Sequence, residues 1–206
     1  MAALLLVGCL AGCGEKPAEP AASPEAAAPE TEVIAEEATA EEMHTIKDAA
    51  DRDVTLKLDP QRIVVTFNLE EYFAVAGAEG VDKLVGFSHA YWEGRRQDAW
   101  DTFTAAFPEL KDQDDVGYNY SISVEKIISL NPDLVIMSAP VNSEFIEPHL
   151  PKLEELGIPV LFVNYHKQTI ETHCKSTMAI GEALGQTERA QEICDFYTEQ
   201  MNLISD

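Results

Sequence analysis

"GYNYSISVEKIISLNPDLVIMSAP", Gly117–Pro140, passes from a polar loop with aromatics to a short amphipathic stretch and then to an unbroken apolar run. Leu134-Val135-Ile136-Met137 has the pattern of a parallel strand covered on both faces. Ahead of it, Val124, Ile127, Ile128 and Leu130 recur at helical spacing, with Ser121 or Ser123 available as the N-cap. Asn131-Pro132-Asp133 ends that helix and turns the chain, because a residue before proline is driven out of the helical region. A helix feeding a buried strand is the unit from which α/β domains are built.

Similar units flank it. Val54–Leu58 predicts a small strand and Ile63–Phe67 a buried one; Leu69–Ala76 predicts a helix closed by Gly77, and Leu84–Phe87 a third strand. Residues 88–120 read as a long, mostly irregular connection with a helix near Trp100–Phe107. Phe145–Leu156 predicts a further helix, Ile158–Val163 a strand, and Thr169–Leu184 and Glu188–Ile204 two more helices separated by Gly185. Alternation of this kind predicts an α/β domain: a mainly parallel sheet with helices on both faces. Ligands of such sheets collect beyond the carboxyl ends of the strands. Those ends are Thr66–Asn68, Ser88–Trp92, Ser138–Pro140 and Asn164–His166.

The first residues have a different texture. Leu4–Val7 followed by Leu10-Ala11-Gly12-Cys13 resembles a bacterial lipoprotein signal over residues 1–13, with Cys13 as the lipidated residue, although no Lys or Arg precedes the apolar run. Residues 14–45 are rich in Ala, Glu and Pro and poor in large apolar side chains, so they are expected to form a disordered tether. Nothing after the signal is long and apolar enough to span a bilayer. The formal net charge of −23 argues against nucleic acid and against attraction to anionic lipid. Cys174 and Cys194 each lie in a helical pattern. An exported chain could pair them, and each also reads as a small buried residue. No Cys-x-x-Cys occurs.

The series "DAADRDVTLKLDPQRIVV" (48–65), "AVAGAEGVDKLVGFS" (74–88), "SVEKIISLNPDLVIM" (123–137), "LEELGIPVLFV" (153–163) and "IGEALGQTERAQEICDFY" (180–197) resembles the periplasmic-binding-protein domain of iron–siderophore, haem and cobalamin ABC importers. The likeness runs from about Ile46 to the C-terminus. It implies one lobe of a two-lobed, helix-linked binding protein. Residues 46–186 would be the N-terminal lobe and residues 187–206 the start of the interlobe helix, with Ile193, Phe196, Tyr197, Met201 and Ile204 along one side. The second lobe is absent from this sequence, which is therefore read as a fragment. The implied role is non-enzymatic capture of a metal chelate, with a permease and its ATPase as partners. No resident cofactor is expected, a monomer is expected, and the location would be extracytoplasmic, held at the membrane by the lipid anchor alone.

The resemblance also assigns residues. Glu125 matches the exposed glutamate that meets arginines of the permease, against a plain reading as a solvated helix residue. Tyr118 and Tyr120 fall in the loop that resembles the family's aromatic ligand-contact loop. Tyr91 and Trp92 follow a strand end, where aromatics can stack on a flat chelate or simply pack the lobe surface. Arg95-Arg96 is the only adjacent basic pair and suits an anionic chelate, or else is a solvated loop pair. Asn68, His89, Asn164, Tyr165 and His166 lie at strand ends and complete the candidate ligand-binding set. His89 and His166 without a convincing carboxylate partner make a poor metal site, so none is expected.

Two other classes stand beside importer function. An exported α/β hydrolase would need a nucleophile elbow, and no Gly-x-Ser-x-Gly occurs, nor any Gly-x-Gly-x-x-Gly or Walker motif. A tethered sensor that reuses the lobe would look the same in sequence.

Overall fold

The structure is a computed structural model that describes residues 42–118, 121–139 and 143–204. Cys13 and Tyr120 lie outside the described residues, as does most of the expected tether. An antiparallel hairpin comes first, β1 (Met43–Lys47) against β2 (Asp53–Lys57). β1 begins at Met43, three residues ahead of the boundary expected at 46. The main sheet has five parallel strands: β3 (Ile63–Val65), β4 (Leu84–Phe87), β5 (Asp114–Asp115), β6 (Leu134–Ser138) and β7 (Val160–Val163). Their spatial order is β5-β4-β3-β6-β7, so the winding reverses between β3 and β6.

Side chains of the strands alternate between two cores, as a period of two requires. Ile63, Val65, Leu134, Ile136, Leu161 and Val163 face one way. They pack with the hairpin, with α1 (Leu69–Ala76) and α4 (Gln97–Ala106), and with α8 (Ile170–Ala183) and α9 (Thr187–Leu203). Val64, Val135, Met137, Val160 and Phe162 face the other way, against Val124 and Ile127 of α5 (Val124–Ser129), Ile146 of α6 (Ser143–Ile146) and Leu153 of α7 (Leu150–Glu155). Helices therefore cover both faces, which is why these strands read as continuous apolar runs.

The local signals around residues 117–140 behave as their chemistry requires. Ser123 is the N-cap of α5 and its Oγ accepts from Lys126 N. Asn131, at φ 47°, ends the helix, and Asp133 accepts from the backbone N–H groups of Gln61 and Arg62 at 3.0 and 2.7 Å. Arg62 in turn donates to the carbonyls of Leu130 and Asn131 at 2.6 and 3.0 Å, satisfying the open end of α5.

Three expectations change. Residues 88–120 are not mostly irregular: they hold α3 (His89–Arg95), α4, a 3₁₀ turn over Pro108–Asp112 and β5. The helix expected over Phe145–Leu156 is broken into α6, a 3₁₀ turn (Glu147–His149) and α7, because Pro148 and Pro151 each sit at the start of a helical piece, where a missing N–H costs nothing. The buried face of α9 is Ala190 and Cys194, with Ile193 packed beside them, whereas Phe196 and Ile204 are exposed. A short helix α2 (Gly80–Lys83) completes the described elements.

The outer edge of β7 is covered by the turn of the hairpin. Ala49 N donates to Phe162 O at 2.9 Å, Phe162 N to Asp48 Oδ2 at 3.3 Å, and Arg52 Nη2 to Val160 O at 2.7 Å.

Candidate functional site

The winding reversal between β3 and β6 places the carboxyl ends of those strands at the natural ligand crevice of an open α/β sheet. The expected strand Ile63–Phe67 stops at Val65. Thr66 still donates to Ile136 O at 3.0 Å, and the chain then leaves the sheet so that Phe67 projects at the rim. Phe67 gathers three rings around it: Tyr91, Tyr118 and His166, with centroids at 5.6, 5.5 and 5.6 Å. Tyr91 and Tyr118 stack on each other at 4.1 Å. The result is a half-exposed aromatic platform built from four separate stretches of chain.

Buried hydrogen bonds fix those stretches. Ser88, fully buried, has its Oγ between the carbonyls of Thr66 and Gly117, at 2.6 Å from the latter, and so joins the loops carrying Phe67, Tyr91 and Tyr118. Gly117 adopts φ +82°, and a Cβ there would lie 2.0 Å from Ser121 O, so only glycine admits this turn. Ser121 Oγ closes it, accepting from Tyr118 N at 3.0 Å and reaching Tyr118 O at 2.8 Å. On the other side, Asn164 Oδ1 accepts from His166 N at 3.2 Å, and Ser138 Oγ lies 3.4 Å from His166 Nδ1. Asn164 thus serves the turn that presents His166.

The basic pair divides. Arg95 is exposed and has no hydrogen-bond or ion-pair partner among the described residues; with Tyr91, Tyr118 and Ser121 it lines a shallow cavity of about 210 Å³. Arg96 is paired within the lobe, donating to Glu70 at 2.7 Å, with its guanidinium 5.1 Å from the Trp92 ring centroid and also interacting with Tyr91. A larger opening, about 330 Å³, lies between β2 and the Gly157–Pro159 turn at the opposite ends of the strands, far from the platform.

Several expected rim residues prove to be structural. Trp92 is 2 % exposed and packs against Phe103, because α3 turns it into the core that an irregular loop would not have offered. Tyr165 is 8 % exposed; its hydroxyl meets Thr177 Oγ1 at 3.1 Å, and burial pushes its phenol pKa well up. His89 stacks on Phe87 and Trp100, with Nδ1 3.0 Å from Gln113 O. Asn68 is 3 % exposed at the start of α1 with an unpartnered Oδ1. Beside it, burial raises the Glu71 carboxyl above its ordinary range, opposed by a hydrogen bond from Asn68. Phe67, the centre of the platform, is absent from the sequence-derived set: its signal was a phenylalanine at a strand end, which reads equally as core. Glu125 is exposed in the first turn of α5, its Oε2 3.5 Å from Ser123 Oγ, where the helix N-terminus favours a carboxylate. Among the described residues no cluster of three or more His, Cys, Asp or Glu could hold a metal ion, and no helix is long and apolar enough to cross a membrane.

A five-stranded parallel sheet with helices on both faces and an aromatic platform beside its winding reversal is the architecture of an α/β lobe. The family model for periplasmic binding proteins matches residues 41–205, and the chain belongs to that family. It is 35 % identical over 194 residues to YvrC of Bacillus subtilis (strain 168), described as an uncharacterized ABC transporter substrate-binding lipoprotein, covering 93 % of this chain and 52 % of that one. Among solved structures it is similar to the TroA-like periplasmic binding protein FepB from Veillonella parvula (TM-score 0.69, 31 % identity, 75 % of this chain and 46 % of that one). It is also similar to Staphylococcus aureus SirA complexed with staphyloferrin B (TM-score 0.52, 25 % identity, 76 % and 47 %). The chain spans about half the length of these relatives.

Proposed function

We propose that this lobe belongs to the substrate-binding lipoprotein of an ABC importer, capturing an anionic metal chelate, first of all a ferric siderophore, outside the cell and delivering it to a permease with its ATPase. The observation that carries this reading is the platform of Phe67, Tyr91, Tyr118 and His166 with the unpaired Arg95 at its margin. Aromatic faces accept the flat or catecholate parts of a chelate, while a free guanidinium offers paired N–H donors to its carboxylate or phenolate oxygens. The family and the staphyloferrin-binding neighbour support the class of ligand. Delivery requires no bond-making by the protein, so the function is binding and not catalysis. In this reading Glu125 docks on the permease, Cys13 carries the lipid, and the protein works outside the cytoplasm.

Haem is the second reading, favoured by one observation: exposed His166 and half-buried Tyr118 both stack on Phe67, and both residue types ligate haem iron. A corrinoid in the same role is the third. Titration calorimetry of the protein with ferric siderophores, haem and cobalamin, with absorbance spectra recorded in parallel, tests these readings. Saturable binding of a ferric siderophore that is lost in Arg95→Ala supports the first. A haem Soret shift that is lost in His166→Ala transfers the site to haem. Absence of binding to all three overturns the chelate reading.

A further inference from the structure

We propose that Cys174 and Cys194 are a built disulfide site that staples α8 to α9 when the protein meets a disulfide oxidant. The two thiols lie at the helix interface and reach across it reciprocally: Cys174 Sγ is 3.7 Å from Cys194 O, and Cys194 Sγ is 3.6 Å from Cys174 O. Such crossed contacts need the two backbones to run unusually close. Small residues provide that closeness further along the same interface, where a Cβ on Gly181 would lie only 2.4 Å from Ala190 Cβ. A covalent bridge here therefore asks for side-chain rotation and little helix movement.

The two sulfurs are unequal in a way that orders the chemistry. Cys174 is half-buried and Cys194 is buried. Burial, together with the neighbouring Cys174 thiol, pushes the Cys194 pKa up to about 12. Cys174, as thiolate, attacks one sulfur of a small or protein disulfide and forms a mixed disulfide, releasing the other half as a thiol. Cys194 then loses its proton to solvent, attacks the Cys174 sulfur and expels the second thiol. Two thiols of the protein are oxidised and one oxidant disulfide is reduced to two thiols, so electrons and protons balance. Because a high thiol pKa limits the thiolate fraction, the second step is slow at neutral pH and faster in alkali. The site itself does not depend on the function proposed above; only the supply of oxidant outside the cytoplasm does.

The full chain, reduced and then incubated with oxidised and reduced glutathione at set ratios, provides the test. Free thiols are blocked under denaturing conditions and the peptides mapped by mass, so that pairing through Cys9 or Cys13 is told apart. The expected result is a linked pair of peptides carrying Cys174 and Cys194, a mass lower by two hydrogens, and closure that accelerates as pH rises. Cys194→Ser is expected to stop at a glutathione adduct on Cys174. A wild-type protein in which both thiols stay free, or in which the adduct on Cys174 persists without closure, overturns the proposal. Neither outcome bears on which ligand the platform binds.

Discussion

Tyr91 and Tyr118 stack at 4.1 Å with planes 23° apart, although one follows β4 and the other follows β5. Their pairing is held by Ser88, which lies against the Gly117 carbonyl from below, so the two rings behave as one surface. Tyr118→Ala removes half of that surface and leaves the core intact. The expected outcome is a loss of ligand affinity of about two- to tenfold, since one aromatic contact is worth about 0.5–1.5 kcal/mol. Calorimetric titration reads the affinity, and a urea midpoint close to that of the unsubstituted protein shows that the fold is unaffected.

The adjacent arginines separate binding from stability. Arg95→Ala is expected to weaken binding of an anionic chelate with no change in unfolding. Arg96→Ala breaks an ion pair to Glu70 that is partly exposed, so a loss below about 1 kcal/mol is expected in urea denaturation. Trp92→Ala is of another order, about 3–5 kcal/mol, because it empties a site in the core.

Asp48 carries no solvent exposure and accepts from Arg52 Nε and Nη2 at 2.8 and 2.6 Å, as well as from the Ala50 and Arg52 backbone N–H groups. Arg52 also lies over the Phe162 ring at 4.0 Å. Removing one member of such a pair strands the other's charge. Asp48→Ala is therefore expected to lower stability by about 3 kcal/mol or more, measured as the shift of the urea midpoint at constant slope.

Glu125 touches no ligand-facing group, so Glu125→Ala is expected to leave the dissociation constant unchanged. If it guides docking, cellular uptake at limiting ligand falls by about fivefold, the equivalent of a rim ion pair of about 1 kcal/mol. Uptake and affinity measured on the same variant decide the matter: equal uptake assigns Glu125 to the solvent.

His173 stacks on Tyr197 at 3.8 Å, and its burial holds the imidazole below the ordinary 6.5. A depressed histidine pKa means that the unfolded chain binds the proton more readily than the folded one. Its contribution to stability is complete above about pH 6.5 and is lost as the pH falls toward the folded value. Glu71 has the opposite sign: its raised carboxyl favours the protonated folded state, so its contribution is lost as pH rises through the folded value. Unfolding midpoints compared at about pH 7.5 and 5.5 are expected to drop less on acidification in His173→Phe than in the unsubstituted protein.

Elements with strong periodicity were legible in the sequence. α1 and β4 match their expected bounds, and α5, β6, α8 and α9 fall within a few residues of theirs, because apolar spacing and the flanking Ser, Asn-Pro and Gly signals all agree there. α3 was illegible for a physical reason: His89–Arg95 carries a glycine and several polar residues, and Trp92 is its one buried side chain. β5 consists of two exposed aspartates, a strand made by its neighbour and not by its own composition. At the candidate site, Tyr91 and His166 were reachable because they follow predicted strand ends, Tyr118 because its loop resembles the family's aromatic ligand-contact loop, and Arg95 because it belongs to the only adjacent basic pair. Asn68, His89, Trp92 and Tyr165 share that position yet point inward, a choice set by long-range packing. Phe67 was obscured because a strand's last apolar residue looks the same whether it faces the core or the rim.

The two borders of the sheet carry a consequence for crowding. β7 has its outward backbone groups taken by Asp48, Ala49 and Arg52, and β5 offers only Asp114 and Asp115. Among the described residues, neither border of this sheet presents a length of free ladder onto which a second chain can add a strand. Many copies can therefore stand at high local density without polymerising edge to edge, and the mutual repulsion of a strongly acidic chain reinforces the separation.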